Sequence, residues 1–186
     1  MPLPKINTPT YELVLPSNNK KIKYRPFLVR EEKILIMALE SEDAKQISDS
    51  VVDILNSCII SKNVKIQSLA TFDIEYLFLN VRAKSVGESV DVNIRCPDDN
   101  ETMVQKTIDL DLIKIKKDRK HKNIIKLDDN LSLKLKYPSM DSFIENNFEI
   151  GATANDIKST LTMITSCIDV IYNEEESWDA SESTQK

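Results

Sequence analysis

Histidine and glycine, on which many catalytic and phosphate-binding sites depend, are scarce in this sequence. Its 186 residues include one histidine, His121, and two glycines, Gly87 and Gly151. A phosphate-binding loop needs several closely spaced glycines so that backbone N–H groups can approach the anion, and these two are not neighbours. Serine and cysteine nucleophiles commonly need a histidine base, whereas His121 lies in a run of lysines. We therefore expect no enzymatic activity, no cofactor and no small-molecule substrate.

One short segment, Cys96-Pro97-Asp98-Asp99, resembles part of a metal site. Zinc knuckles place a Cys-Pro-x-Cys pair on a hairpin tip, where it supplies two of the four ligands. Here the second position is Asp99, and no further pair of cysteines or histidines follows. One thiolate with two carboxylates is a poor ligand set for structural zinc. A metal-dependent hydrolase with adjacent aspartates, such as Asp128 and Asp129, stays open as an alternative, but an ordinary turn is favoured and no metal site is predicted.

The three cysteines favour a protein that is made and kept in a reducing cytosol. Cys58, Cys96 and Cys167 form an odd set without a close pair, so no disulfide framework is predicted. The N-terminus lacks the cationic and apolar segments of a signal peptide. The longest apolar run, residues 34–39, is far shorter than the ~20 residues that cross a bilayer. No membrane partner is therefore expected.

Charge is distributed unevenly along the chain, whose formal net charge is −5. Residues 111–136 contain nine cationic and four anionic side chains, whereas residues 173–186 contain five carboxylates and one lysine. Solvated faces are the favoured explanation, although such asymmetry also marks surfaces that meet different partners. The alternative function is a nucleic-acid-binding module that uses the basic stretch (residues 114–136). Nucleic acid is not the favoured partner, because residues 114–126 contain no aromatic residue that could stack on a base.

Hydrophobic periodicity predicts a hairpin and three helices in the first 87 residues. A Pro-Ser-Asn-Asn turn separates the two β-prone runs. The first helix is apolar nearly all round, which predicts burial in the domain or against a partner. Gly87 is well placed just beyond the third helix. The predicted strands are Tyr11–Leu15 and Lys20–Tyr24, and the predicted helices are Arg30–Glu40, Ile47–Cys58 and the segment from the N-cap Thr71 to Val81.

The pattern changes to a period of two between residues 88 and 137, which predicts antiparallel strands. Apolar and polar residues alternate over Val90–Arg95 and Leu131–Tyr137, and Ile124–Leu127 precedes the latter across a turn. Helical spacing then returns in two predicted helices. The first contains Phe143, Ile144 and Phe148, and the second starts at Thr153 or Asn155 and places Ile157, Leu161, Ile164, Ile168 and Ile171 on one face.

These elements predict an α+β fold, with a helical core, an N-terminal β hairpin and an inserted small antiparallel β module. The predicted division of the chain is 1–87 for the hairpin and first helices, 88–137 for the β module, 138–173 for C-terminal helices that complete the helical core, and 174–186 for an acidic flexible tail.

Several segments, taken in order, resemble the baseplate hub subunit family of T-even-type contractile-tailed bacteriophages. The resemblance covers most of residues 1–180 and is strongest over 1–90. The matching segments are Met1–Pro16, Lys21–Lys33, Ala38–Asp43, Thr71–Leu79, Arg82–Glu88 and Ile168–Tyr172.

The resemblance implies a role in building the central hub of the phage baseplate, as an assembly factor, a hub component or both. It supplies no catalytic residues, and the implied partners are other baseplate hub or tail proteins. The implied location is the host cytoplasm during assembly or the tail baseplate of the virion. Some relatives carry a cysteine pair at the hairpin tip where this chain has Cys96 alone, and relatives continue beyond the acidic tail, which suggests a chain that is short at its C-terminus.

Apolar anchors and opposite charges would suit a protein that assembles with others. Two groups of residues are therefore predicted to bind partners. For the N-terminal group, burial in the domain core is the favoured alternative. The N-terminal group is Tyr11, Tyr24, Phe27 and Leu28, and the basic group is Lys116, Lys117, Lys120 and Lys122.

Overall fold

A computed structural model describes residues 8–116, 118, 120–140 and 157–179, which form two compact units. Unit 1 contains the described residues of Met1–Ile66 and Phe72–Ile115. Unit 2 contains Gln67–Thr71 and the described residues of Lys116–Lys186. Each unit combines α-helix with antiparallel strands, so the predicted α+β class is confirmed.

Unit 1 starts with a hairpin of two strands, β1 (Tyr11–Val14) and β2 (Lys21–Tyr24). Alternation along the strands directs one face inward, so that Leu13, Ile22 and Tyr24 are buried while their neighbours face solvent. The turn is closed by the N–H of Leu15, which donates to the carbonyl of Lys20 at 2.9 Å. Asn19 adopts φ 58°, a left-handed conformation that asparagine tolerates.

Two helices, α1 (Val29–Glu40) and α2 (Ala44–Cys58), follow and pack against each other. The Glu31 carboxylate accepts the Leu28 N–H at 2.7 Å and so satisfies a donor at the start of α1. Asp43 caps α2 by accepting the N–H groups of the next helical turn at 2.9 and 3.2 Å.

The third helix, α3 (Thr71–Val86), supplies much of the core of unit 1. The helix begins at Thr71 itself, whereas the sequence predicted that residue as the N-cap. Its buried carboxylate, Asp73, accepts the Ser17 N–H at 3.0 Å and the Ser17 hydroxyl, which joins α3 to the hairpin turn. The buried apolar side chains of unit 1 include Leu13, Leu15, Ile22, Tyr24, Phe27, Val52, Ile54, Leu55, Cys58, Ile66, Ile74, Leu77, Val81 and Leu110.

Strands β3 (Ser89–Arg95) and β4 (Met103–Asp109) form an antiparallel two-stranded ribbon, called the ribbon below. Gly87 connects α3 to it with φ 147°, a conformation that L side chains rarely adopt. A short 3-10 helix, Leu110–Leu112, follows the ribbon. Its first residue, Leu110, is buried in unit 1.

Unit 2 contains a four-stranded antiparallel sheet in the order β5-β6-β7-β8. The segment Gln67–Thr71 joins this unit through the bridge between Ala70 and Ser139. The Ile157–Ser166 helix, α4, leads directly into β7. The four strands are β5 (Ile124–Lys126), β6 (Ser132–Leu135), β7 (Ile168–Tyr172) and β8 (Ser177–Asp179).

Two predictions about the C-terminal region are wrong. Ile168 and Ile171 lie in strand β7, not on the face of a long helix, because the segment is β-branched and pairs with β6. Part of the predicted flexible tail forms strand β8, which pairs with β7. The predicted helix containing Phe143, Ile144 and Phe148, and the start of the next at Thr153 or Asn155, lie outside the described residues.

Candidate interaction surfaces

The four residues of the predicted N-terminal group divide between core and surface. Tyr24 is 2% exposed and Phe27 is 9% exposed, which places both in the core of unit 1. Burial is the main reason that the pKa of Tyr24 is raised. Tyr11 and Leu28 are half-buried, and the Tyr11 ring lies 5.8 Å from that of Tyr24. Only Tyr11 and Leu28 of this group therefore have surface available to a partner.

Lys84, near the end of α3, binds both chain segments at the base of the ribbon, where β3 begins and β4 ends. Its ammonium binds the carboxylate of Glu88, which precedes β3. It also binds the carboxylate of Asp111, which follows β4, at 3.0 Å. Hydrogen bonds to Glu88 and then to Asp111 raise the pKa of Lys84. The same ammonium lies 5.9 Å from the centre of the Tyr11 ring. One lysine of α3 thus contacts the hairpin and both chain segments at the base of the ribbon.

The ribbon has one apolar face. Val90 pairs with Ile108 and Ile94 pairs with Val104, while Val92 lies between them opposite Lys106. Ile94 is 46% exposed and Val104 is 49% exposed. The other face is polar, as shown by the Thr107 hydroxyl that donates to Asp91. Isolated two-stranded hairpins are only marginally stable in water, so an apolar face of this size indicates a surface that packs against something.

The tip of the ribbon is an ordinary turn, as the sequence analysis favoured. The Asp99 carboxylate accepts the N–H groups of Glu101 and Thr102 at 3.0 Å, and also the Thr102 hydroxyl. The Thr102 hydroxyl is the main reason that the pKa of Asp99 is lowered. Cys96 is half-buried beside this turn. The tip also presents the carboxylates of Asp98 and Glu101, so it is acidic.

The described lysines of the basic group are exposed. Lys116, Lys120 and Lys122 all face solvent, whereas Lys117 lies outside the described residues. His121 stacks on Tyr137, with ring centres 5.9 Å apart and an interplanar angle of 5°. Sequence inspection missed this pair because Tyr137 lies sixteen residues away and only the return of β6 brings it back.

The sheet of unit 2 carries an apolar row across all four strands. Ile125 pairs with Leu133, Leu133 pairs with Ile171, and Ile171 pairs with Trp178. The ends of this apolar row, Ile125 and Trp178, are 45% and 41% exposed. None of the described side chains from Lys116 onward is buried. Unit 2 therefore has an incompletely covered sheet.

Helix α1 has a further apolar surface that faces solvent. Val29, Ile36 and Met37 are exposed, although they belong to the helix that was predicted to be buried. The sequence left two possibilities for this helix, burial in the domain or burial against a partner. These exposed side chains fit the second.

In the part of the chain that the structure describes, no three His, Cys, Asp or Glu side chains are grouped so that they could hold a metal ion. No described helix combines the length and apolar composition that crossing a bilayer requires.

The family of this chain follows from a comparison with protein-family models. The model described as T4 bacteriophage base plate protein matches residues 8–186. The chain belongs to the T4 baseplate protein family. No curated protein sequence and no solved structure matched this baseplate protein. Membership in this family implies that the chain interacts with other phage tail and baseplate proteins. It also favours a structural over an enzymatic role. The exposed apolar surfaces of both units are consistent with such contacts.

Proposed function

We propose that this baseplate protein is a subunit or an assembly factor of the baseplate hub and acts through protein–protein contacts. The proposal rests on the apolar face of the ribbon. The described residues of unit 1 cover this face only in part, so its side chains remain half-buried or exposed. Burial of apolar surface supplies most of the free energy of protein association. The ordered resemblance of residues 1–90 to hub subunits supports the choice of the hub within the baseplate.

Surface residues from the sequence predictions extend this proposal. Tyr11 and Leu28 have exposed area beside the hairpin, and Lys116, Lys120 and Lys122 offer positive charge. Rim charges of this kind chiefly steer encounter and fix orientation, whereas buried apolar anchors supply affinity. We therefore expect the lysines to affect association rate and salt dependence more than complex lifetime.

Co-purification from infected cells tests the proposal. The tagged chain should be recovered with hub intermediates, and mass spectrometry of finished tails should separate the two roles. A hub subunit is present in both, and an assembly factor only in the intermediates. Absence from both would contradict the proposal.

A matched pair of ribbon variants sharpens this experiment. Ile94→Asp places a charge on the apolar face, while Asn93→Asp places the same charge on the polar face one residue earlier. Ile94→Asp should reduce hub recovery by about tenfold or more, since burying an unpaired charge costs more than 1.4 kcal/mol. Asn93→Asp should leave recovery unchanged. Equal effects of the two variants would show that the apolar face is not the contact.

A nucleic-acid-binding module is a second candidate, favoured by the stacked pair of His121 and Tyr137 beside exposed lysines. Exposed aromatic side chains beside cations are typical of single-strand binding, because bases stack on the rings. Reversing Lys116, Lys120 and Lys122 to Glu should abolish retention on single-stranded DNA or RNA and flatten its salt dependence. Unchanged retention rejects this candidate.

A further inference from the structure

We propose that two copies of this chain form a symmetric dimer in which the exposed face of α1 packs antiparallel against α1 of the second copy. This inference goes beyond the hub assignment and does not depend on it. It rests on the apolar side chains that α1 exposes to solvent and on the opposite charges at its two ends. Because each chain has a single α1, this contact cannot form within one copy.

Helix α1 forms a ridge on the surface of unit 1. Eight of its twelve residues are exposed, and its buried residues are Glu31 and Ala38. At about 100° per residue, the exposed positions occupy more than half of the helix circumference. Val29, Ile36 and Met37 are 80%, 49% and 61% exposed. A second helix can therefore lie along this ridge and cover apolar surface.

One face of the ridge combines an apolar centre with charged ends. Its members follow one another at spacings of three or four residues, so they lie on the same side of the helix. They are Val29, Lys33, Ile36, Met37 and Glu40. Twelve residues at about 1.5 Å each make this face roughly 18 Å long. Antiparallel helices that cross at about 20° can keep such a face in contact over its length.

Charge makes α1 complementary to a reversed copy of itself. Arg30 and Lys33 lie in its N-terminal half and Glu40 ends it, all three exposed. Lys33 and Glu40 form no ion pair with the residues that the structure describes. If the twofold axis is level with Leu35, Glu40 of one copy is level with Arg30 of the other and one turn from its Lys33. A carboxylate there is also favoured by the N-terminus of the helix.

Neighbouring charges do not reverse this pattern. In the first turn Glu32 is half-buried, so two cations are opposed by one carboxylate. After the helix, Glu42 and Asp43 are exposed and only Lys45 opposes them. The exposed start of α1 is therefore net positive and its exposed end net negative. An antiparallel pair brings unlike ends together, whereas a parallel pair would bring like ends together.

The contact is isologous, so both copies use the same face and the assembly closes at two copies. Ile36 and Met37 of both copies meet near the twofold axis, and we expect them to supply most of the affinity. The contact covers about three helical turns, which is smaller than a standard interface of about 1,600 Å². We therefore expect weak, concentration-dependent dimerisation.

Sedimentation velocity of the full chain, from about 5 µM to about 500 µM, tests the association. The wild-type chain should change from monomer to dimer as concentration rises. Met37→Lys removes an apolar side chain and places a charge level with Lys33 of the other copy, so dimerisation should weaken by about tenfold or more. Asn56→Lys, on the exposed side of α2, is the matched control and should dimerise like the wild type. A wild-type chain that is monomeric at every concentration overturns the proposal, as does a dimer that Met37→Lys leaves intact.

Charge-reversed variants distinguish an antiparallel α1 contact from other dimers. Glu40→Lys, and Arg30→Glu combined with Lys33→Glu, should each dimerise about tenfold or more weakly, because like charges meet at both ends of the contact. An equal mixture of the two should form a heterodimer, because unlike charges meet again at both ends. A chain with all three changes should dimerise with itself for the same reason. Recovery in either experiment also shows that the variants are folded, and failure of both overturns the proposal.

Other occupants of this face would give different results. If another baseplate protein covers α1, Met37→Lys should reduce hub recovery from infected cells while the purified wild-type chain stays monomeric, and the proposal is wrong. If the ribbon forms the dimer, Ile94→Asp should abolish dimerisation and Met37→Lys should not, and the proposal is again wrong. Hub recovery of the wild-type chain is measured separately, so the hub assignment and the dimer can each fail alone.

Discussion

At the residue scale, Glu31 shows how a buried charge organises the start of α1. Its side chain is 3% exposed, and its carboxylate binds the Arg25 guanidinium at 3.1 Å as well as the Leu28 N–H. Burial alone would raise the pKa of Glu31, but the hydrogen bonds from Leu28 and Arg25 outweigh burial and lower it. Arg25 is itself held by the carbonyl of Pro26 at 2.8 Å.

Removing this carboxylate should be costly. Glu31→Ala leaves the largely buried Arg25 without its counter-charge and the Leu28 N–H without its acceptor. Loss of one partner from a buried ion pair typically costs about 3–5 kcal/mol. Urea unfolding should therefore show a much lower midpoint for Glu31→Ala. Glu32→Ala, in the same helical turn, is the control and should cost under about 1 kcal/mol. Equal losses would mean that helix propensity, not the ion pair, is responsible.

Acid should weaken the protein through the same residue. A carboxyl whose pKa is lower in the folded than in the unfolded chain stabilises the fold above its unfolded pKa, and this contribution is lost as pH falls through the folded pKa. The free energy of unfolding should thus decrease below about pH 4.5. Glu31→Gln should remove that part of the decrease, as measured by urea unfolding from pH 7 to pH 3. If the free energy of unfolding of Glu31→Gln fell with pH as steeply as that of the wild type, other carboxylates would be responsible for the decrease.

At the element scale, Lys84 fixes the position of the ribbon rather than its internal pairing. The β3–β4 ladder comes from the two strands alone, whereas Lys84 connects residues just outside each strand to α3. The N–H of Leu110 also donates to the carbonyl of Glu88 at 2.7 Å and closes the base of the ribbon. Loss of Lys84 should therefore loosen the base first.

Hydrogen exchange can detect this loosening. In Lys84→Met the amides of residues 88–92 and 106–110 should exchange faster, since the base of the ribbon opens more often without the ammonium. Core amides of α2 should be unchanged. Lys33→Met, on the exposed side of α1, is the matched control. Unchanged exchange rates of the amides at the base of the ribbon would show that Leu110 and its backbone hydrogen bond hold the base in place without Lys84.

The sequence was sufficient where local signals agreed with the tertiary context. Period-two alternation predicted the ribbon and β5–β6, and Gly87 ends α3 as expected. It failed at Ile168 and Ile171, because a spacing of three continues the helical pattern of α4 while the same residues suit a strand. Pairing with Leu133 and Leu135 decides between the two, and that contact lies outside any local window.

The interaction surfaces were only partly predictable for the same reason. The lysines were found from composition, but the apolar row requires the register of four strands that are far apart in the chain. Burial also separated Tyr24 and Phe27 from Tyr11 and Leu28, which sequence alone had grouped together. Partner binding by that group, and the four-part division of the chain at residues 87, 137 and 173, remain predictions.

At the scale of the whole molecule, the boundary between the units at residues 115 and 116 lies in a lysine-rich connection. Residues 113–116 form no helix or strand, and their side chains face solvent. Exposed segments of this kind are the usual sites of proteolytic nicking.

Limited trypsin digestion should therefore cut first after Lys114, Lys116, Lys120 or Lys122 and produce one fragment from each side of the connection. Lys84 should resist longer, because it lies within α3 and binds two carboxylates. Mass spectrometry of early digests identifies the cut sites, and Lys84→Met provides the control for assigning peptides. Early cleavage after Lys84 would contradict the arrangement of unit 1.

The backbone at Gly87 has a consequence for how this protein can vary. A Cβ there would meet no atom within 4 Å, so space does not exclude a larger residue, but φ 147° does. Substitution would force the chain to leave α3 in another direction. Rotating an arm of roughly 23 Å by 10° displaces its far end by about 4 Å, which is nearly one strand spacing. The direction of the ribbon thus depends on the dihedral angle at Gly87 as well as on the contacts of Lys84, while nothing at its tip would need to change.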